Sequence, residues 1–214
     1  MSTRVREDGH KLPERGLRRP TQARSRATVD AILRGAADVL TSRGYSATTT
    51  NHIAEAAGVS IGSIYQYFAD KDDVIRTVAT MFARDALAFS GEHIHDGDDE
   101  ATQVGAWLDA VMTRASEDAA LIHVLFREVP FIWTIPGVLA AMDESLDVIE
   151  LLGPLNRIDG ARKRDRAFVI FKSMLAVIID VAADPSLRSR RENIIDELKQ
   201  MIECYLVSTR HRPE

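Results

Sequence analysis

One stretch limits what this chain can fold into more than any other. Residues 48–71 read TTTNHIAEAAGVSIGSIYQYFADK. Thr48 and Thr49 are good helix N-caps, and Ile53, Ala54 and Ala57 then fall on one face at helical spacing. Gly58 stands where that helix has to end, because glycine takes the left-handed backbone conformation at little cost. Val59 is the apolar plug for the angle that follows, and Ser60 is the next N-cap. Ile64 and Phe68, four apart, give a second short helix its inward face. Two short helices about a tight turn form a helix-turn-helix, and the second is the helix that would enter a DNA major groove.

The outward face of the second helix carries the chemistry. It presents Ile61, Gly62, Ser63 and Gln66, with Tyr65 and Tyr67 beside them. Gly62 costs a helix about 1 kcal/mol relative to alanine, a cost offset if the helix must approach DNA closely. Ser63 and Gln66 can hydrogen-bond base edges. Tyr67 and Lys71 suit phosphate. Lys71 follows Asp70, the expected N-cap of the next helix, so backbone N–H groups and an ammonium would meet at one phosphate. The bland alternative is a helix-turn-helix that packs only against protein.

At these residues the chain closely resembles the DNA-binding domain of the tetracycline-repressor-like (TetR) family. The resemblance rests on Thr-Thr-x-x-x-Ile-Ala, then Ala-Gly-Val-Ser-x-Gly-Ser-Ile-Tyr-x-Tyr-Phe, then Lys71, and covers about residues 21–80. It implies a dimeric, ligand-responsive transcriptional regulator, usually a repressor. The family's DNA contacts map onto Thr50, Ser60, Ile61, Gly62, Ser63, Tyr65, Gln66, Tyr67 and Lys71. One departure is Ile61, where many members carry lysine; an isoleucine would touch a thymine methyl instead.

A net charge of −5 looks wrong for a DNA binder until its distribution is considered. Residues 1–26 carry eight Lys/Arg against three Asp/Glu, so the rest of the chain sums to −10. A basic arm on an acidic body predicts DNA contact at one end only. The arm, residues 1–20, has Pro13, Gly16 and Pro20 and no hydrophobic period, and is expected to be disordered in isolation. Its Arg15, Arg18 and Arg19 either reach DNA beside the reading helix or form a solvated tail. The single cysteine, Cys204, precludes an intrachain disulfide and fits a reducing cytoplasm. No apolar run is long enough to span a membrane, and the arginine-rich N-terminus lacks the apolar core of a secretory signal.

The remaining periodicity is helical, with no strand-type alternation and no internal repeat. The expected fold is all-α, about nine helices: a head over residues 21–69 and a larger ligand-binding and dimerisation body over 70–214. Helices are expected over 21–43, 70–93, 101–116, 118–129 (stopped by Pro130), a seventh ending near Leu152, 159–183, and a ninth to about Ser208. The fourth begins in the head and ends in the body, so it is the expected mechanical link. The last two are apolar enough to form a four-helix bundle with a second copy, with Leu198 and Ile202 at the interface.

Helices five to eight hold more large side chains than a structural bundle requires: Trp107, Met112, Phe126, Trp133, Met142, Phe168, Phe171 and Met174. Such residues line adaptable pockets, and His123 and Arg127 would orient a polar group, although each large residue taken singly also suits a plain core. Gly-rich phosphate loops, cysteine clusters and nucleophile motifs do not occur. The expectation is therefore a cytoplasmic non-enzyme that needs no cofactor or metal. It would be a homodimeric repressor that leaves a near-palindromic double-stranded operator when a small apolar ligand binds. Two alternatives compete: a helical metal-dependent hydrolase using His93, His95 and His123, and a helical adaptor that binds protein.

Overall fold

The computed structural model describes residues 23–94, 100–158 and 160–207. The expected N-terminal arm, His95 and the acidic run after it lie outside them. Among the described residues there are nine α-helices and no strand. They are α1 (Ala23–Ala47), α2 (Thr50–Ala56), α3 (Ile61–Tyr65), α4 (Lys71–Glu92), α5 (Glu100–Glu117), α6 (Ala119–His123), α7 (Pro136–Glu150), α8 (Ala161–Ala183) and α9 (Arg191–Val207). Among the described residues no helix is long and apolar enough to cross a membrane.

The head is α1 to α3. Thr49, not Thr48, caps α2, accepting from His52 N. Thr48 is buried, with its hydroxyl donating to Gly44 O at 2.7 Å. Gly44 (φ +75°) kinks the end of α1, and Gly58 (φ +65°) ends α2, so both glycines sit where a side chain would be strained. Ser60 caps α3 by accepting from Ser63 N at 3.1 Å. Asp70 caps α4 by accepting from Asp73 N at 2.9 Å, while Asp73 reaches back to Ala69 N, one residue outside the usual capping box.

Two apolar cores are built on this frame, and the first does not stop at residue 69. It joins Ile32, Leu40, Ile53, Ile64 and Phe68 of the head to Val74, Ile75 and Val78 of α4, and continues into Leu125, Ile132 and Val138 of the body. The second lies at the far end, where Trp107, Leu108, Ile149, Ile170, Leu198 and Ile202 join α5, α7, α8 and α9. The head and the near half of the body are therefore packed as one unit, and α4 lies chiefly against α7.

Two expectations need correcting. The sixth helix does not run to Val129 in α form. After His123 the backbone widens into a π-helical turn over Val124–Glu128, with Val129 N donating to Val124 O at 3.2 Å. Pro130 still ends it. Leu198 and Ile202 are not surface residues: at 5% and 1% exposure they are part of the far core. The outer faces of α8 and α9 instead present Phe168, Val169 and Met201, each about half exposed.

Candidate nucleic-acid interface and body cavity

The reading helix α3 is held from behind by buried Ile64 and Phe68, which fixes the residues that face outward. Ile61, Gly62, Tyr65 and Gln66 are exposed. A Cβ at Gly62 would meet only Ser60 Oγ, at 3.7 Å, so packing within the protein does not require glycine there. Close approach of an outside surface to the helix would account for a glycine there. Ser63 is tied to its cap, its hydroxyl lying 2.8 Å from Ser60 Oγ. Gln66, at the C-cap of α3, is exposed and able to donate and accept together. Thr50 and Tyr65 meet hydroxyl to hydroxyl at 3.2 Å, bridging α2 to α3. Tyr67 is half-buried against the head core.

Lys71 is not free to project outward. Its ammonium donates to the carbonyls of Tyr45 and Thr48, at 3.2 Å each, and lies 4.3 Å from the centre of the Tyr45 ring. Two of its three protons thus close the carbonyl end of the α1–α2 junction, and only the third is left for phosphate. Tyr45 is drawn into the same knot, donating to Asp72 at 3.1 Å. Burial, then that bond to Asp72, pushes its phenol proton above the usual tyrosine range.

In the body a cavity of about 150 Å3 lies between the two cores. Val138 of the first core, with Phe82, Phe126 and Met142 packed against that core, and Trp107, Ile149 and Met174 of the second face it, along with Ile122, Phe89 and Phe171. Of the sequence-predicted ligand residues, Trp107, Phe126 and Phe171 line it. Met112 instead borders a separate gap of about 10 Å3, too small for a ligand. His123, Arg127 and Trp133 are placed elsewhere. The π turn carries Arg127 to an ion pair with Asp180 on α8, and His123 Nε2 lies 3.5 Å from Glu128. Trp133 packs at a tilt against Phe126, ring centroids 5.3 Å apart, and is 46% exposed. Phe168 faces outward.

The polar groups that do face the cavity are Ser90, Arg114, Asp118 and Ser145. Arg114 and Asp118 were readable as an i,i+4 pair, but not the face they occupy. Arg114 Nε donates to Asp118 at 2.5 Å; that bond, then the attraction of the two charges, raises the guanidinium pKa further.

The π turn also joins the cavity wall to the head. Phe126 lines the cavity, and Glu128, two residues on, accepts from the backbone N–H of Tyr45 at 2.9 Å. A Cβ at Gly44 would come within 2.6 Å of that carboxylate. Of the histidines in the metal reading, His93 and His123 are described and His95 is not. His93 Nδ1 lies 2.8 Å from Phe89 O with its ring against the Phe89 ring, whereas His123 Nε2 lies 3.5 Å from Glu128. Among the described residues, no group of three His, Cys, Asp or Glu is placed to hold a metal.

A helix-turn-helix head whose core runs into a hollow helical body defines a class, the helical regulatory proteins of helix-turn-helix type. The sequence profile described as "Bacterial regulatory proteins, tetR family" matches residues 32–78, the head and the start of α4. The regulator TcmR of Streptomyces glaucescens is 30% identical over 168 residues, 76% of this chain and 68% of that one. The chain belongs to the TetR family. The repressor KstR2 of Mycolicibacterium smegmatis is 38% identical over 63 residues, and the match spans only 30% of its length. In fold, the fatty acid degradation regulator FadR of Bacillus halodurans aligns with a TM-score of 0.67 at 21% identity, covering 86% of this chain and 97% of that one.

Proposed function

We propose that this protein is a ligand-responsive transcriptional repressor. It binds a near-palindromic operator as a homodimer and releases it when a small apolar molecule fills the body cavity. Its relative KstR2 bears the name of a repressor, and the same mode of action is extended here to this chain. The observation that carries the reading is the position of the cavity, at the seam between the far core and the core that holds the reading helix. A molecule filling that seam favours one packing of α4 and the π turn over another. It shifts operator affinity only by its differential affinity for the two packings. Residues 21–69 serve as the reading head, with Thr50, Ser60, Ile61, Gly62, Ser63, Tyr65, Gln66, Tyr67 and Lys71 as its DNA face. The last two helices serve as the dimer surface.

The test has two stages. Selection of bound duplexes from a random pool should return an inverted repeat with half-sites about 34–36 Å apart, or a multiple of that. Titrating cavity ligands against that duplex should then lower its affinity. A selection that returns no motif leaves the adaptor reading standing; a ligand that binds the body without altering operator affinity removes the coupling.

A further inference from the structure

The polar groups of the cavity narrow what it can hold, given the reading above that it is a ligand site. Three features bear on this: size, hydrogen-bonding capacity and charge. A cavity of about 150 Å3 with aliphatic and aromatic walls matches in volume an apolar cavity known to accept benzene. It suits a single ring better than a long chain.

Its two hydroxyls are complementary. Ser90 Oγ accepts from Trp107 Nε1 at 3.1 Å, which leaves its own proton to donate. Ser145 Oγ donates to Ala141 O at 2.7 Å, which leaves its lone pairs to accept. Both line the same cavity, so its wall offers a hydroxyl one donor and one acceptor.

The charge is already balanced. Arg114, the cationic side chain of the lining, is paired to Asp118 across 2.5 Å, with side chains 42% and 26% exposed, so the pair sits toward solvent. Asp85 and Glu117 also act on the guanidinium. A carboxylate entering here meets a guanidinium whose charge Asp118 already offsets, with further negative charge from Glu117 and Asp85 acting on it. An ammonium carried past the pair leaves Asp118 behind and loses its hydration in an interior whose polar groups are two uncharged hydroxyls.

We propose that the cavity selects an uncharged, single-ring aromatic molecule carrying one hydroxyl group, and that the Arg114–Asp118 pair acts as a filter against carboxylates. Asp118 is a specificity-determining residue in this scheme: it keeps Arg114 from serving as an anion receptor.

The experiment uses the full chain with Trp133→Phe, an exposed position, so that Trp107 in the cavity wall is the sole tryptophan reporter. Four probes share one ring: p-xylene, 4-methylbenzyl alcohol, 4-methylbenzoate and 4-methylbenzylamine. Trp107 emission and calorimetry at neutral pH should show the alcohol binding at least about tenfold tighter than the carboxylate or the amine, and tighter than p-xylene. Asp118→Asn should then raise carboxylate affinity by about fivefold or more, while the alcohol changes by less than about threefold.

Equal or tighter binding of the carboxylate or amine overturns the proposal, as does an alcohol no better than p-xylene. A carboxylate still excluded from the Asp118→Asn protein overturns the filter. If p-xylene and the alcohol both fail to bind, the cavity reading falls with it. If the series behaves as expected but operator affinity does not move, the ligand class stands and the proposed regulation fails.

Discussion

Gln66 and Lys71 were read from the sequence as members of one DNA face, yet their surroundings differ. Gln66 is exposed at the end of α3 and has both a donor and an acceptor to offer a base. Gln66→Ala should cost about 1–3 kcal/mol on the selected duplex and relax preference at one position of each half-site, with little loss on random DNA. Lys71 bonds two carbonyls of its own head, so Lys71→Ala should do two things. It should weaken all duplexes alike and flatten the salt slope, through the one proton left for phosphate. It should also lower stability by about 1–2 kcal/mol in urea melts, through the lost charged hydrogen bonds. Unchanged stability would mean that those bonds contribute nothing in solution. The sequence exposed the position of Lys71 but not this second role, because its partners are carbonyls of residues 23 and 26 positions away. Backbone acceptors at that distance leave no mark in local pattern.

At the scale of elements, periodicity revealed the helices because buried residues recur every three or four positions, and it located α4 as a link for the same reason. It did not reveal the π turn, since Val124–Glu128 has the same apolar spacing as an ordinary helix and only the backbone registers the extra residue. The cavity wall was half legible for a related reason. Large residues can be counted in a sequence, but the facing of those within that turn is set by its wider backbone, where Phe126 lines the cavity while Arg127 goes to Asp180. The same turn ends at Glu128, whose bond to Tyr45 N ties body to head. Glu128→Ala removes the acceptor and should lower stability by about 1–2 kcal/mol, or roughly 2–8 °C in Tm for a chain of this size. It should also reduce the ligand's effect on operator affinity, whereas Glu128→Gln, which retains an acceptor oxygen, should preserve most of it. Fluorescence anisotropy of a labelled operator, with and without ligand, measures this. Full ligand response in Glu128→Ala would show that coupling runs through α4 and α7 alone.

For the whole molecule, the proposed homodimer raises the question of which surface would join two copies. Leu198 and Ile202 looked suitable in sequence because α9 carries a broad apolar stripe, but one side of that stripe closes the protomer's own core. A stripe wider than one contact needs is readable; which part of it faces inward is not. Leu198→Asp should therefore unfold the body, visible as lost helicity, and so says nothing about assembly. Phe168, Val169 and Met201 are half-exposed large apolar side chains of α8 and α9. We place the two-fold contact there. Val169→Asp with Met201→Asp puts carboxylates on that face without opening the core, so the circular dichroism spectrum and melting of the folded protomer should survive. Sedimentation should report a monomer. Such a monomer engages one half-site at a time and loses the effective concentration that a tethered second head provides, which is worth about 10²–10⁴-fold in avidity. Binding to the inverted repeat should fall by about that factor, while binding to an isolated half-site changes little. A folded dimer that survives both substitutions would move the interface to another face of the body. A monomer that still binds the full repeat as tightly as the parent would remove the two-fold reading of the operator itself.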